Sequence, residues 1–507
     1  MEEAAARDLF RSLEGVPASS LNFCSNDYLA LSKDPRLAEA SASAARLHGA
    51  GAGASRLVTG NHPLYPELEA RIARLKGTDA ALVFGSGYLA NIGAIAALVG
   101  EGDLVLTDEL SHSCMWSGAR LSGAEVLSFR HNDVQHLRTL LAAHRGRARH
   151  CLVMTEGVFS MDGDRAPLSD VARVAREHDA WLMTDDAHGL GVVGEGKGSA
   201  FLAGVVPDVQ MGTLSKSVGS YGGYVAASTS VVSLLVNRAR SVIYSTGLPP
   251  AVVAASIAGI DIIGGDKALC ARPLANAQLF CDALGLPAAQ SAIVPIVIGP
   301  SDAALEAARR VAAHGFLVRA IRPPTVPDRT ARLRVTFTAA NMPDDIQRLA
   351  APGDAGHADG APADPGRLDG LPHDRDVAGR LEGEVGAKAP GLLDHPVDDV
   401  IAADPDVGRA VVGRMLETVL GEVDGDDPLG PHQAGAGHRA KADQAEAEYH
   451  GGGALEDLGA EHRRAQPGRE AAGEERVGRV GRGGVDLRQG DLRHHGRFGE
   501  GRAAHEV

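Results

Sequence analysis

Between residues 79 and 228 short apolar runs alternate with stretches of helical spacing. DAALVF (79–84), DLVLTD (103–108), AEVLSF (124–129), CLVMTE (151–156), WLMTDD (181–186), DVQMGTL (208–214) and GYVAAS (223–228) read as strands. Stretches between several of them, around 133–145 and 167–178, repeat apolar residues every three or four positions and predict helices. Such alternation predicts an α/β fold with a large, mostly parallel sheet covered by helices on both faces. Ligands of such sheets sit beyond the carboxyl ends of the strands, so chemistry is sought in the residues that follow each strand. The uncharged stretch 80–100 is long enough for a membrane span. It reads ALVF, then GSGY, then LANIGAIAALVG, which predicts strand, loop and helix instead.

Residues 291–350 predict a smaller α+β unit, with SAIVPIVIG and ARLRVTFTA as strands and 302–314 as a helix. Residues 230–290 read as mainly helical. Pro250 stands near the first turn of the helix AVVAASIAGI. The expected layout is an N-terminal segment over 1–29, a large domain over 30–265, a small C-terminal domain over 266–350 and a tail over 351–507. In the tail only AVVGRMLETVLGEV (410–423) has helical spacing. The rest offers too little apolar surface to offset the entropy of folding, so the tail is predicted to be disordered.

Composition sharpens that boundary. The tail holds 31 acidic and 18 basic residues, which leaves 34 and 32 in residues 1–350. The net charge of −15 therefore belongs mostly to the tail. The near-neutral body is no nucleic-acid surface by charge. Ser occurs 28 times before residue 351 and never after it. That break fits either out-of-frame translation of a GC-rich gene or a disordered extension. The five Cys, at 24, 114, 151, 270 and 281, form no CxxC pair. An odd count without such pairs fits a reducing cytoplasm rather than a disulfide framework or a zinc site. MEEAAARDLF at the start is acidic and shows no basic region before an apolar core, so no secretory signal is expected.

Common phosphate motifs fail. GVVGEGKG (191–198) has P-loop spacing, but Gly198 stands where Ser or Thr should bind magnesium. No GxGxxG follows a strand, and no HExxH or Cys/His cluster suggests a metal. Three strand-end segments remain. FGSGY (84–88) lets the backbone approach an anion, and the helix after it offers free N–H groups; such turns are also common in ordinary sheets. TDDAHG (184–189) places a carboxylate where it can hold a protonated ring nitrogen, with a His three residues on; a solvated capping loop is the alternative. GTLSKSVGSYGGY (212–224) carries Lys216, one of five Lys in residues 1–350. A Lys among hydroxyls and glycines suits a Schiff base with pyridoxal 5′-phosphate, or is simply a surface Lys on a loop. Together they supply a phosphate cradle, a partner for a pyridine nitrogen and a reactive amine.

LNFCSNDYLALS (21–32), SRLVTGNHPLYPELE (55–69), LSHSCMWSG (110–118), HNDVQHL (131–137), TEGVFSMDGD (155–164), WLMTDDAHGLGVVGEGKG (181–198), GTLSKSVGSYGGY (212–224), YSTGLPP (244–250) and AIRPPTVPDRTARLRVTFTAA (320–340) carry a family resemblance. Over about residues 7–350 the chain resembles the α-oxoamine synthases, fold-type I enzymes that use pyridoxal 5′-phosphate. The resemblance implies that Lys216 bonds the cofactor and that Asp185 keeps its pyridine nitrogen protonated. It implies that His188 and Ser160 approach the ring's phenolic oxygen and that His112 stacks on the exposed ring face. Backbone groups of Gly87 and Tyr88 and the Thr213 hydroxyl would bind the phosphate. Thr246 would reach the phosphate of the neighbouring subunit in a homodimer with shared sites. Thr325 and Arg334 would handle substrate, Arg334 taking the amino-acid carboxylate. Arg11 is the nearest candidate for an upstream substrate-binding Arg.

Bland readings stand beside these: His112 as a helix cap, Ser160 as a turn residue, His131 and Asp133 as structural. Arg332 and Arg334 are read as alternating on one strand, so that only one faces the site, with Arg334 preferred. AIRPPTVP and HND point within the family to decarboxylative condensation of L-alanine with a pimeloyl thioester, carried on CoA or on acyl carrier protein (ACP). Alternatives are another amino acid and acyl group, as in glycine C-acetyltransferase, or an inactive scaffold of the same fold. A match that ends mid-helix near residue 350 is expected to weaken the small domain.

Overall fold

The computed structural model describes residue 15 and residues 20–351. Arg11, the 410–423 stretch and the rest of the tail lie outside the described residues. The first described strand, β1 (Leu21–Asn22), belongs to a two-stranded sheet, the smallest of three. All seven apolar runs of the body form strands: β2 (Ala80–Phe84), β3 (Leu104–Asp108), β4 (Glu125–Phe129), β5 (Cys151–Glu156), β6 (Trp181–Asp185), β7 (Val209–Thr213) and β8 (Gly223–Ala227). They make one sheet in the order β2-β8-β7-β6-β5-β3-β4. Only β8 runs against its neighbours; the other pairs are parallel.

Strands β3, β5, β6, β7 and β8 are buried at every position. Burial on both faces explains why their sequences are continuous apolar runs and not alternating ones. Along β5, Leu152 and Met154 join a core with Ala90, Ala94, Met115 and Val231. Cys151 and Val153 join the opposite core with Leu137, Leu141, Val171 and Val174. The two faces thus follow the period of two of an extended chain. Each fully buried aliphatic side chain contributes about 1.5–3 kcal/mol.

The 80–100 stretch is strand β2 followed by a helix, Gly87–Leu98. Ser86 caps that helix, its Oγ accepting from Leu89 N at 3.1 Å. Among the described residues no helix is long and apolar enough to cross a membrane.

Four polar residues end four strands on one edge of the sheet: Asp108 on β3, Glu156 on β5, Asp185 on β6 and Thr213 on β7. The parallel direction of these strands puts their carboxyl ends together and so defines where a ligand would sit.

The smaller unit contains β9 (Ile293–Gly299), β10 (Phe316–Leu317), β11 (Arg319–Ile321) and β12 (Ala331–Thr336). An antiparallel sheet runs in the order β11-β12-β9. Its core gathers Phe280, Val294, Ile296, Val311, Phe316, Leu333, Val335, Phe337, Ile346 and Leu349. Phe23, fully buried, belongs to the same core, and β1 pairs in parallel with β10. Residues 21–23 are therefore part of this unit's packing. Ile346 and Leu349 come from the last described helix, Pro343–Ala350, which lies against the Lys267–Leu284 helix.

Candidate active site

Asp185 closes β6 and is held at both oxygens. Oδ1 accepts from Ala187 N at 3.0 Å and Oδ2 from Asn91 Nδ2 at 2.7 Å. Asn91 is wholly buried in the Gly87–Leu98 helix. The sequence reading missed it; the signal was a lone amide in a helix whose buried positions are otherwise apolar or Gly. The next residue, Asp186, forms a buried ion pair with Lys76, Nζ to Oδ2 2.8 Å. Lys76 also donates to Lys197 O at 2.7 Å, and Ser199 N donates to Asp186. The turn after β6 is thus tied to the end of the Leu64–Lys76 helix.

The loop from β7 to β8 is closed by hydroxyls. Thr213 Oγ1 donates to Gly222 O at 2.9 Å and accepts from Ser215 N at 3.1 Å. Ser215 Oγ donates to the same carbonyl at 3.2 Å. Lys216 leaves this loop and brings Nζ to 2.7 Å from His188 Nε2. Burial lowers the Lys216 pKa to about 8, with Arg334 adding to the effect and Asp185 and Glu156 opposing it. Burial, then the charges of Lys216 and Arg334, hold His188 well below the usual imidazole range. On its other side His188 Nδ1 lies 2.6 Å from Tyr28 Oη.

Glu156, at the end of β5, accepts His112 N through Oε1 at 2.7 Å and Ser160 N through Oε2 at 3.1 Å. Burial first, then the Asp185 charge, raises its pKa well above the carboxylate range. One carboxyl therefore positions two segments that the sequence reading assigned to the site, yet it received no role there. His112 does cap the Ser113–Ser122 helix, Nδ1 accepting from Cys114 N at 3.2 Å. Capping fixes one edge of the ring while the residue stays exposed. Desolvation lowers its pKa against the pull of Asp185.

Arg334 is buried and makes three contacts. Nε donates to Ser160 O at 2.6 Å, Nη1 to Asn26 Oδ1 at 3.1 Å and Nη2 to Tyr28 Oη at 3.4 Å. Arg332 is also buried and pairs with Asp162. The expectation that only one of the two faces this region needs correction. Residues two apart on a strand share a face, and both guanidinium groups meet the Ser160–Asp162 segment. Arg334 is the one that also meets Asn26, Tyr28 and, by its charge, Lys216.

His131 bridges two carboxylates, Nδ1 to Asp108 Oδ1 at 3.0 Å and Nε2 to Asp164 Oδ2 at 2.8 Å. Burial opposes its charge, but the two carboxylates raise its pKa to about 10. It fastens the end of β3 to the turn that carries Ser160. Asp133 caps the Val134–His144 helix, accepting His136 N at 2.8 Å.

Gly87 begins a helix and its backbone lies against Thr213: an added Cβ would stand 3.1 Å from Met211 Cε and 3.4 Å from Thr213 Oγ1. Helix N–H groups and a hydroxyl suit a phosphate. Tyr88 is half-exposed, and Thr325 and Thr246 are exposed. Thr246 bridges to Ser55.

A half-buried amine, a carboxylate fixed at a neighbouring strand end and a helix N-terminus beside a hydroxyl fit pyridoxal 5′-phosphate. The chain belongs to the aminotransferase class I and II family, matched over residues 18–351. It is 57% identical over 331 residues to 8-amino-7-oxononanoate synthase of Methylocella silvestris, covering 65% of this chain and 95% of that protein. It also resembles a serine palmitoyltransferase solved with pyridoxal phosphate as an internal aldimine, with TM-score 0.63, 31% identity and coverage of 65% and 85%. A crystal structure of 8-amino-7-oxononanoate synthase from Francisella tularensis matches with TM-score 0.57 and 25% identity, covering 66% of this chain and 96% of that one.

Proposed function

We propose that this chain binds pyridoxal 5′-phosphate and condenses L-alanine with a pimeloyl thioester. The products are 8-amino-7-oxononanoate, CO2 and the free carrier thiol, a step of biotin biosynthesis. The observation that carries the reading is the convergence of Lys216, Asp185, His188 and Arg334, in a chain that matches nearly the whole length of the Methylocella relative. The bound cofactor supplies an aldehyde carbon for an amine and a protonated ring that takes up the electron pair left at an amino acid's α-carbon.

The chain's own residues do the rest. With its pKa near 8, the Lys216 amine is partly free base at neutral pH, fit to bond an aldehyde and to remove a proton from carbon. Asp185, held by Asn91 and Ala187, faces one direction only, so its charge can keep a ring nitrogen protonated. Neutral His188 keeps Lys216 in place without adding a second positive charge. Arg334 offers a guanidinium to the alanine carboxylate, oriented by Ser160, Asn26 and Tyr28. Gly87, Tyr88 and Thr213 take the phosphate, with Ser160 and His188 on the phenolic side of the ring and His112 on its face. Thr325 contacts substrate.

A homodimer belongs to the same proposal. Exposed Leu57, Val58 and Tyr244 flank the Ser55–Thr246 bridge, apolar surface that a second copy would cover while Thr246 reached its cofactor. The test is to assay the purified full chain with pyridoxal phosphate and L-alanine, with pimeloyl-CoA in one arm and pimeloyl-ACP in the other. Formation of the amino-ketone in either arm supports the reading. Turnover only with glycine or serine, or with none of these amino acids, refutes it.

A further inference from the structure

We infer that Cys114, held between Asn91 and His112, fixes the orientation and proton position of the His112 ring and couples it to Asp185. Asn91 and Cys114 are then positioning residues of the site. The purpose of this arrangement rests on the proposed function; its measurement does not.

Four groups form one chain of hydrogen bonds. Asn91 Nδ2 donates to Asp185 Oδ2 at 2.7 Å and to Cys114 Sγ at 3.0 Å. Cys114 Sγ lies 2.8 Å from His112 Nδ1. Directions follow from chemistry. A carboxylate only accepts, so the end of the Asn91 amide that points at Asp185 Oδ2 must be the nitrogen. Asn91 Oδ1 is buried without a partner among the described residues. The opposite orientation would set two acceptors face to face, and the molecule keeps the unpartnered oxygen instead.

The thiol is protonated. Burial, with the Asp185 charge, pushes its pKa to about 12. It accepts from Asn91 and donates its S–H to His112 Nδ1. That nitrogen also accepts Cys114 N at 3.2 Å. Two donors aimed at Nδ1 require a lone pair there, so the neutral ring carries its proton on Nε2. Close helix packing makes the reach possible. A Cβ at Gly118 would lie 2.8 Å from Ile95 Cδ1 and 3.1 Å from the Asn91 carbonyl, so the Gly87–Leu98 and Ser113–Ser122 helices meet almost backbone to backbone.

The chain joins the carboxylate at one strand end to the imidazole that the family resemblance sets over the cofactor ring. A lone hydroxyl in place of the thiol preserves both roles, as donor and as acceptor. A methyl group preserves neither.

The test uses the full chain labelled with ¹⁵N-histidine, first without cofactor, with His112→Gln to identify the resonance. We expect Nδ1 of His112 in the range of an unprotonated nitrogen and Nε2 in the range of an N–H. Cys114→Ser keeps this pattern, and Cys114→Ala, which leaves the backbone N–H as the one remaining donor at Nδ1, admits a measurable share of the Nδ1-protonated tautomer. With pyridoxal phosphate added, Cys114→Ala lowers kcat about tenfold at nearly unchanged KM for the thioester, and Cys114→Ser restores it. A wild-type ring protonated on Nδ1 overturns the inference whether or not any variant folds. So does a folded Cys114→Ala protein whose His112 signals match the wild type.

Discussion

Lys216 Nζ lies 2.7 Å from His188 Nε2. In its ammonium form Lys216 has no lone pair, so Nε2 then accepts and the imidazole proton sits on Nδ1, which faces Tyr28 Oη. Tyr28 in turn reaches Asn26 Oδ1 at 3.2 Å. The Lys216 amine, proposed to bond the cofactor, is thus the end of a chain that includes Tyr28 and Asn26.

Lys216 reactivity should follow its lowered pKa. The free amine, which attacks an aldehyde, predominates above about pH 8. Cofactor-free protein mixed with pyridoxal phosphate should therefore develop imine absorbance faster from pH 6 to 8 and level off above that. Stopped-flow absorbance measures it. Lys216→Ala should give no such absorbance and lose roughly 10²–10⁴-fold in turnover.

Tyr28→Phe removes the partner of His188 Nδ1 and one contact of Arg334. The cost should be about 1–3 kcal/mol, because a buried imidazole N–H is left without an acceptor. Chemical denaturation reads the stability, and steady-state kinetics should show a lower kcat.

The two arginines of β12 should separate in an alanine titration. Arg334→Gln should raise the KM for L-alanine by about 10–100-fold, the worth of a charged hydrogen-bonded contact. Arg332→Gln breaks the ion pair with Asp162 and should lower thermal stability while leaving the alanine KM within about threefold, a surface-like effect on binding. Equal KM effects from both would contradict the assignment of the carboxylate to Arg334.

His131 carries a pH signature. Its folded pKa, about 10, lies above its ordinary 6.5 because Asp108 and Asp164 outweigh burial. A raised folded value stabilises the protein fully below the unfolded pKa, and that contribution is lost as pH climbs toward 10. At about 1.4 kcal/mol per pH unit of separation the upper bound is about 5 kcal/mol, and solvent around the partly exposed ring reduces it. Urea melts between pH 6.5 and 10 should show a falling stability in the wild type and a flatter profile in His131→Gln.

Phe23→Ala should cost about 3–5 kcal/mol, because the side chain is fully buried in the core of the smaller unit. Thermal unfolding checks it. A loss below 1 kcal/mol would mean that residues 21–23 are not part of that core.

The sheet was legible because strands buried on both faces leave unbroken apolar runs, and the carboxyl ends of those runs singled out Asp185, Thr213 and Lys216 as candidates. What was missed shares one physical cause. Asn91, Glu156, Tyr28 and Asn26 act through other side chains from distant parts of the chain, and no local period encodes such a partner. Glu156 lay inside a segment already singled out, yet a carboxylate ending a strand reads as solvated until the fold buries it. The error over Arg332 was geometric: the period of two sets i and i+2 on one face, and only the register against Ser160 and Asp162 tells their duties apart.

The pairing of β1 with β10 also fixes an order of events during synthesis. Leu21 sits opposite Phe316, and Tyr28 and Asn26 follow a few residues after Leu21. The ribosome makes this segment early, but its resting place does not exist until the chain has grown past Phe316. During that interval His188, the partner of Lys216, lacks the Tyr28 hydroxyl on its far side. The imidazole is braced at both nitrogens only when strands translated later take hold of this earlier segment.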